Sequence, residues 1–363
     1  MQAAARRHAN NFDVLRLAAA CSVVLSHSWL IAYGTQQTEP LVWATRNQCS
    51  LGLAGVFVFF VISGYLVTES FCRDPKPCSF VLRRTARIYP GLAVNGLAIA
   101  FVLGPIVTTL PLPAYLAHPG LRSFLFEYAT LWPGPLKLPG VLFPAKAVDD
   151  LVNGAFWTLV FEVMMYATVL VLGIARLLRL ETAAALLVLG IAAIWWDEHW
   201  SLQWLGYLRG WLWMLSHFAA GMVMYFLRGR IVFRWYYALA ALVPLVVTSQ
   251  CGEFITFFAP SCGYLTLYAA TARYLPRLDY ARRAGDLSYG LYIYGWPCEQ
   301  MVAWLTNGRA PWWGVTLGAL ALALPLAWLS WHGIEKRALR WARRRPRAAA
   351  SPALQPLAAP PVD

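Results

Sequence analysis

Charged residues are scarce in this chain of 363 residues, at 13% compared with about 25% in average soluble domains. Among the charged residues the acidic ones are fewer, with 17 Asp and Glu against 30 Lys and Arg. The seven cysteines are scattered without a CxxC pair, so they predict neither a zinc site nor a disulfide framework. We detect no internal repeat, and we expect no bound metal. These absences argue against an ordinary soluble domain.

Hydrophobic residues make up 59% of the chain and aromatic residues 15%, and the apolar residues are grouped in long runs. A membrane-spanning helix needs about 20 mainly apolar residues. The first run follows Arg6 and Arg7, as in a signal peptide, but it is long enough to span and has no convincing cleavage site, so we expect it to be retained. Ten predicted spans cover roughly residues 12–33, 51–72, 88–108, 152–175, 182–197, 203–227, 235–250, 254–272, 287–306 and 312–334.

The positions of the basic residues test this count, because Lys and Arg accumulate in cytoplasmic loops. With the N-terminus inside and the spans alternating, 23 basic residues lie inside, two lie within spans and five lie outside. The five outside are Arg46, Arg122, Lys137, Lys146 and Arg309. The pattern predicts an all-α polytopic protein of the bacterial inner membrane with about ten helices and both termini cytoplasmic. It also accounts for the net charge of +13 without a nucleic-acid partner.

The predicted membrane domain covers residues 12–340, between a cytoplasmic N-terminus at 1–11 and a disordered cytoplasmic tail at 341–363. Its long outer segment, about 109–151, holds or borders eight prolines between Pro105 and Pro144. Long loops without secondary structure are uncommon unless they are functional. This segment is therefore either a cap over the outer mouth of a cavity or a flexible loop. Cys49 and Cys251 are both predicted near the outer face, which leaves one disulfide open.

Arg16 and His27 both lie in the first span. They are 11 residues apart, about three helical turns, so they share one face and are separated by about 16 Å along the axis. Ionisable residues at such depth usually face a polar cavity. The alternative is an arginine that extends to the inner surface and a hydrogen-bonded core histidine.

Arg83, Arg84 and Arg87 precede the third span. Arg84 and Arg87 are neighbours on a helix because they are three residues apart. Near a helix N-terminus, where backbone N–H groups attract anions, they outline a cytoplasmic phosphate site. The alternative is the ordinary excess of positive charge on that side of the membrane.

Glu162 lies near the middle of the fourth span and shares a face with Thr158. A carboxylate at that depth needs a partner, which would be an arginine, a histidine, a substrate hydroxyl or a purely structural cation. Glu299 is another acidic residue deep in a predicted span. Ser63 has no base nearby in sequence, so we expect the small residues of the second span to serve packing.

An ordered series of motifs resembles membrane acyltransferase family 3, from about residue 10 to 340. Each motif is weak alone, whereas the collinear set is specific. The motifs are Asn11–Arg16 leading to His27, Gly55–Leu66, Arg83–Pro90, Trp157–Glu162, Leu287–Tyr294 with Pro297, and Ile334–Lys336.

This resemblance implies transfer of an acyl group, usually acetyl from acetyl-CoA, to a hydroxyl of a carbohydrate or lipid-linked glycan. By position, it implies that Arg16 and His27 are essential, that Arg84 and Arg87 are the family's basic pair, and that Glu162 is its motif carboxylate. Many members have His where this chain has Gly295; if that His tunes acceptor binding, we expect a different acceptor here.

The resemblance and the helix geometry together suggest a mechanism. Arg84 and Arg87, with Arg83, would hold the phosphates of acetyl-CoA, and the thioester would pass Arg16 to reach His27. His27 would act as general base or carry the acyl group transiently, with Glu162 orienting it or stabilising its charge. A transporter or flippase of a lipid-linked or small polar substrate is the alternative function. A non-catalytic scaffold would not need Arg16 and His27 on one face. The acceptor, the acyl chain length and the oligomeric state stay open.

Overall fold

The computed structural model describes residues 11–132, 134–145, 148, 150–201, 203–271 and 285–344. Within these ranges the chain is helical and contains no β-strand. Most of the predicted N-terminal segment 1–11 and of the predicted tail 341–363, together with a stretch of basic residues between 272 and 284, lies outside the described residues. Their predicted placement stays a prediction.

Each of the ten predicted spans coincides with a helix. Three short helices, α2, α5 and α6, lie between them. Apart from a 3₁₀ turn at Gln203–Leu205, the described residues form thirteen helices, which are α1 Phe12–Tyr33, α2 Pro40–Ala44, α3 Leu51–Arg73, α4 Pro77–Val107, α5 Leu112–Ala117, α6 Pro119–Thr130, α7 Trp157–Ile174, α8 Leu180–Trp200, α9 Tyr207–Leu227, α10 Trp235–Cys251, α11 Phe254–Thr271, α12 Ser288–Leu305 and α13 Trp312–Arg343.

Seven of these helices, α1, α3, α4, α7, α8, α9 and α13, are long and apolar enough to cross a membrane. This finding agrees with a polytopic membrane protein, whereas the count of ten and the orientation of the termini stay predictions. Helix α4 begins earlier and is longer than the predicted span 88–108, because the basic segment with Arg83, Arg84 and Arg87 belongs to the helix. A π-helical turn at Ile99–Leu103 interrupts its regular hydrogen bonding.

Local chemistry fixes where several helices begin and end. Ser50 caps the N-terminus of α3, because its hydroxyl oxygen accepts a hydrogen bond from the Leu53 amide at 3.1 Å. Pro77 occupies the first position of α4, where the missing N–H costs nothing. Gly34 ends α1 with a φ of 75°, which glycine adopts without strain.

Helices α1, α3, α9 and α12 form the centre of the bundle. Helix α3 packs against α1, α7, α9 and α11, and α1 packs against α3, α12 and α13. The start of α1, the end of α3 and the starts of α4 and α12 meet at one end of the bundle. We call it the basic end because Arg73, Arg83, Arg84 and Arg87 lie there.

Small residues allow α3 and α9 to cross in close contact. A side chain at Gly64 would collide with the carbonyl group of Phe218, and one at Gly221 with the carbonyl oxygen of Val61. The two glycines therefore face backbone of the opposite helix, and close approach of this kind is typical of packed membrane helices. This contact supports the predicted packing role of the small residues in the second span.

The segment 109–151 is largely folded in the part that the structure describes. It contains α5 and α6 and packs against α4, where the Tyr115 hydroxyl donates to the Ala100 carbonyl oxygen at 2.7 Å. Leu121, Phe124 and Phe143 are buried in the main core. This packing favours an ordered element over a flexible loop. All seven cysteines are free thiols, with Cys49 buried and Cys251 exposed, so the disulfide left open by the sequence is not formed.

Candidate active site

An open pocket, about 780 Å³ when the open solvent at its mouth is included, lies between α1, α3, α4, α7 and α12. It reaches from the basic end toward the middle of the bundle. Its polar and ionisable lining residues come from all five helices: Arg16, Ser63, Arg84, Arg87, Thr158, Glu162, Tyr166, Ser288, Tyr289 and Tyr292. Four of the six predicted site residues therefore share one pocket, and Arg83 and His27 do not line it.

Arg16 and Arg87 are held together by Asp286, which lies two residues before the start of α12. Its Oδ2 lies 2.7 Å from Arg87 Nη2 and 3.5 Å from Arg16 Nη1. Burial raises the pKa of Asp286, but the guanidinium groups of Arg87 and Arg16 outweigh it and lower that pKa to about 2. Glu335 Oε2 adds a second acidic neighbour, 4.0 Å from Arg87 Nη1. These carboxylates fix two of the three pocket arginines in place.

Arg84 has a different environment. Among the described residues it forms no ion pair, and its guanidinium lies 5.5 Å from the ring centre of Tyr166 and 5.7 Å from that of Phe80. Its Nη2 donates to Ser70 Oγ at 3.3 Å, and its buried Nε has no hydrogen-bond partner there. A buried guanidinium without a counterion is costly, so this position favours an anionic ligand.

Arg83, predicted with the phosphate site, turns away from the pocket. Its Nη1 lies 2.5 Å from both Asp74 Oδ2 and Ser79 Oγ. Adjacent positions on a helix point about 100° apart, which separates Arg83 from Arg84, but Arg83 lies only about 40° from Arg87. The ion pair with Asp74 and the hydrogen bond to Ser79 therefore hold Arg83 outside the pocket, while Arg84 and Arg87 face into it.

Glu162 lines the pocket with the arginines. Its Oε1 accepts a hydrogen bond from the Tyr166 hydroxyl one turn along α7, and Thr158 shares the same face, as the spacing predicts. The Thr158 hydroxyl is hydrogen-bonded to that of Tyr292. The hypothesis that Glu162 orients His27 is not supported, because another carboxylate occupies that place.

That carboxylate is Glu299, in the middle of α12. Its Oε2 lies 3.6 Å from Nδ1 of His27, and its side chain is fully buried, whereas 16% of the His27 side chain is exposed. Ser28 Oγ donates to Glu299 Oε1 at 2.9 Å. The ring of Trp296 meets that of His27 edge-on, with centroids 4.7 Å apart. His27 therefore lies among Glu299, Ser28 and Trp296.

Arg16 and His27 contact the same neighbouring helix segment. Arg16 reaches Asp286 at the start of α12, and His27 reaches Glu299, 13 positions further along. Both side chains thus point inward from one face of α1, as their spacing predicts. Helices α1 and α12 also run in the same direction, because their starts meet at the basic end.

The pocket does not extend to His27 in this structure. Tyr292 closes its inner end, where the hydroxyl donates to the Ala155 carbonyl oxygen at 2.9 Å and the ring meets Phe59 edge-on. Gly295 lies one turn further on α12, and a side chain there would press against Val24. The tyrosine and its partners separate the arginine pocket from His27.

Asp286, Tyr166 and Glu335 were not assigned a role from the sequence. Asp286 directly precedes the motif Leu287–Tyr294, and Glu335 belongs to the motif Ile334–Lys336, so closeness to a motif was the signal available for these two residues. Glu299 was recognised as a deep carboxylate, but nothing in the sequence linked it to His27. Such links depend on which helices become neighbours.

The comparisons with known proteins identify the family. A family model described as an acyltransferase domain matches residues 10–332. The chain belongs to this family. The resemblance to membrane acyltransferase family 3 and the prediction of an acyltransferase are thereby confirmed.

Two curated relatives of this acyltransferase cover almost its whole length. Nodulation protein 10 of Rhizobium leguminosarum bv. viciae is 28% identical, over 92% of this chain and 94% of the relative. The O-acetyl transferase of Shigella phage Sf6 is also 28% identical, over 91% of this chain and 96% of the relative. No solved structure matches this acyltransferase.

Proposed function

We propose that this acyltransferase moves an acetyl group from cytoplasmic acetyl-CoA to a hydroxyl of a cell-surface or exported carbohydrate. The observation that carries the proposal is the pocket at the basic end, in which Arg84 has no counterion among the described residues. The relative named as an O-acetyl transferase supports transfer of acetyl to oxygen. Family membership favours this enzyme over the alternative of a transporter or flippase.

The phosphates of the donor suit the pocket arginines. Arginine binds phosphate well because its donors form a planar fork. Arg87 already forms ion pairs with Asp286 and Glu335, so Arg84 is the arginine best placed to bind a further anion. Placing the basic end in the cytoplasm, as the distribution of Lys and Arg favours, exposes this pocket to cytoplasmic acetyl-CoA.

The chemical step belongs deeper in the bundle, at His27. The distance from Arg16 to His27 along α1 is about 16 Å, which a long pantetheine arm would bridge. Movement of the Tyr292 side chain would be needed to connect the pocket with His27. An imidazole that takes the proton from the acceptor hydroxyl contributes about 10²–10⁴-fold to the rate. We assign Glu162 to the donor pocket, where it would fix Tyr166 beside the arginines.

The acceptor would approach from the opposite end of the bundle. A second, open depression there is lined by amide and hydroxyl side chains, including Thr35, Gln36, Asn47 and Ser50. Gln36 Nε2 donates to Ser26 Oγ at 3.0 Å, so this wall contacts the residue directly before His27. Amide and hydroxyl groups of this kind suit a carbohydrate. Donor and acceptor would thus reach His27 from opposite ends.

The test uses inner membranes from bacteria that carry the chain and their own surface glycan. Acetyl-CoA labelled in the acetyl group is added, and label in purified glycan is measured beside the mass spectrum of the glycan. We expect label and a mass increase of one acetyl group with the natural chain. We expect neither with His27→Ala, although that variant inserts in normal amount. Full transfer by His27→Ala would contradict the role of His27, and no transfer by the natural chain would contradict the function.

A further inference from the structure

Two buried polar atoms face each other and have no other partner among the described residues. They are Nδ1 of His27 and Oε2 of Glu299, which lie 3.6 Å apart. Buried polar atoms are nearly always hydrogen-bonded, so a pair left open at this separation calls for an explanation. Hydrogen bonds at catalytic sites are often long in the free enzyme and shorten when substrate binds.

The surroundings hold Glu299 in position. Its helix is deeply buried from Ser288 to Gln300, and the Glu299 side chain itself is fully buried. The other carboxylate oxygen, Oε1, accepts from Ser28 Oγ at 2.9 Å. These contacts leave Oε2 directed at the imidazole. A buried carboxylate is costly unless it is paired, and His27 is the ionisable side chain that faces Oε2 in the described structure.

The ring of His27 is held from a second side. Trp296 meets it edge-on, and the Trp296 indole N–H donates to the Leu151 carbonyl oxygen at 3.0 Å. Gly154 has no side chain and lies against the same indole, where a Cβ would collide with it. The imidazole is therefore confined between a fixed aromatic ring and a fixed carboxylate.

We propose that Glu299 is the positioning residue for His27. Glu299 accepts a hydrogen bond from Nδ1–H, which places the free lone pair of the imidazole on Nε2 and fixes the direction in which His27 takes a proton. This inference rests on the proposed function, since it presumes that His27 is the base. A carboxylate that orients a histidine and stabilises its charged form recurs in many acyl-transfer sites.

The proposed step is balanced as follows. Nε2 of His27 takes the proton of the acceptor hydroxyl while the hydroxyl oxygen attacks the thioester carbonyl carbon of acetyl-CoA. The new O–C bond forms, the C–S bond breaks, and the sulfur leaves as a thiolate. The thiolate then takes the proton from Nε2, which releases CoA and restores neutral His27. Glu299 stays ionised throughout and stabilises the imidazolium between the two proton transfers.

The test compares Glu299→Gln and Glu299→Asp with the natural chain in the labelled acetyl-CoA assay, with rates normalised to folded protein. Gln keeps the shape but cannot stabilise the imidazolium, so we expect kcat to fall by about 10²-fold or more. The KM for acetyl-CoA stays within about twofold, because the donor pocket is remote from Glu299. Asp restores the charge on a shorter side chain and should recover part of kcat.

The ratio of kcat to KM effects separates positioning from a merely structural role. If Glu299 acts through His27, Glu299→Gln lowers kcat at an unchanged KM and Glu299→Asp recovers part of kcat, whereas a structural role moves kcat and KM together in both variants. Normal kcat in Glu299→Gln, an equal loss in Glu299→Asp, or a parallel change of kcat and KM would overturn the inference. Natural-chain and His27→Ala samples are run beside these. An inactive natural chain would count against the proposed function, whereas an active natural chain with active Glu299→Gln counts only against the positioning role.

Discussion

Two adjacent arginines provide a matched test of the donor pocket. Arg84 lines the pocket and has no ion pair in the described structure, whereas Arg83 points away from it and pairs with Asp74. Arg84→Ala and Arg83→Ala each remove one positive charge from neighbouring positions on α4. Their effects on net charge and long-range electrostatics are therefore nearly equal. A difference between them reports contact with the donor.

The magnitude follows from the hydrogen bonds that Arg84 would make to a phosphate. A hydrogen bond to a charged group contributes about 1.5–3 kcal/mol, and each 1.4 kcal/mol is about tenfold in affinity. We therefore expect Arg84→Ala to raise the KM for acetyl-CoA by roughly 10- to 100-fold. Arg83→Ala should change that KM by less than about threefold, because its loss affects an ion pair outside the pocket.

The assay measures initial rates of acetyl transfer over a range of acetyl-CoA concentrations, with acceptor membranes in excess. Immunoblots of solubilised membranes check that both variants accumulate to similar levels. Protection of the natural chain against thermal unfolding by CoA gives an independent measure, and Arg84→Ala should lose it. Equal KM values for the two variants, or a larger effect of Arg83→Ala, would refute the assignment of Arg84 to phosphate.

Three further predictions concern the bundle and its pocket. Gly64→Ala should lower the free energy of unfolding by about 1–3 kcal/mol or prevent folding, because its Cβ meets the backbone of α9. The control is Gly333→Ala, where a Cβ meets nothing within 4 Å. Equal melting temperatures of the two variants in detergent would contradict this packing. Asp286→Asn should lower the free energy of unfolding by about 2 kcal/mol at neutral pH, since the pKa of Asp286 falls from 3.8 to about 2 on folding and one pKa unit corresponds to about 1.4 kcal/mol. A lowered pKa stabilises the fold at pH values above the pKa of the unfolded chain, and this stabilisation is lost as the pH falls toward the pKa of the folded chain. The difference in melting temperature between the natural chain and Asp286→Asn should therefore be constant from pH 5 to 8 and shrink below about pH 4. A difference that varied between pH 5 and 8 would argue against the ion cluster. Ser63→Ala should keep kcat within about threefold of the natural value, because no base is hydrogen-bonded to Ser63 in the described structure, and a loss of 10²-fold or more would restore Ser63 as a nucleophile.

Local physics explains which parts of the fold could be predicted. The ten apolar runs coincide with helices. In lipid, a run of about 20 apolar residues can pair its backbone N–H and C=O groups within itself only as an α-helix. The shared face of Arg16 and His27 also followed, because a spacing of 11 residues fixes the angle between two side chains on one helix. The grouping of Arg84 with Arg87 followed for the same reason.

The partners of these residues could not be predicted, because they depend on contacts between helices far apart in the sequence. Asp286 bridges Arg16 and Arg87 only because the starts of α1, α4 and α12 meet. Glu299 rather than Glu162 stands beside His27 because α12, not α7, lies against that face of α1. Arg83 and Arg84 differ in role because the pocket opens on one side of α4 only.

The amino-acid sequence alone thus determined the helices, the family and the ionisable residues of the first span, since these depend on composition, order and helical period. Only the tertiary structure decided which carboxylate meets which cation. That choice is set by the packing of distant helices, where each buried charge must find an opposite charge within a few ångströms.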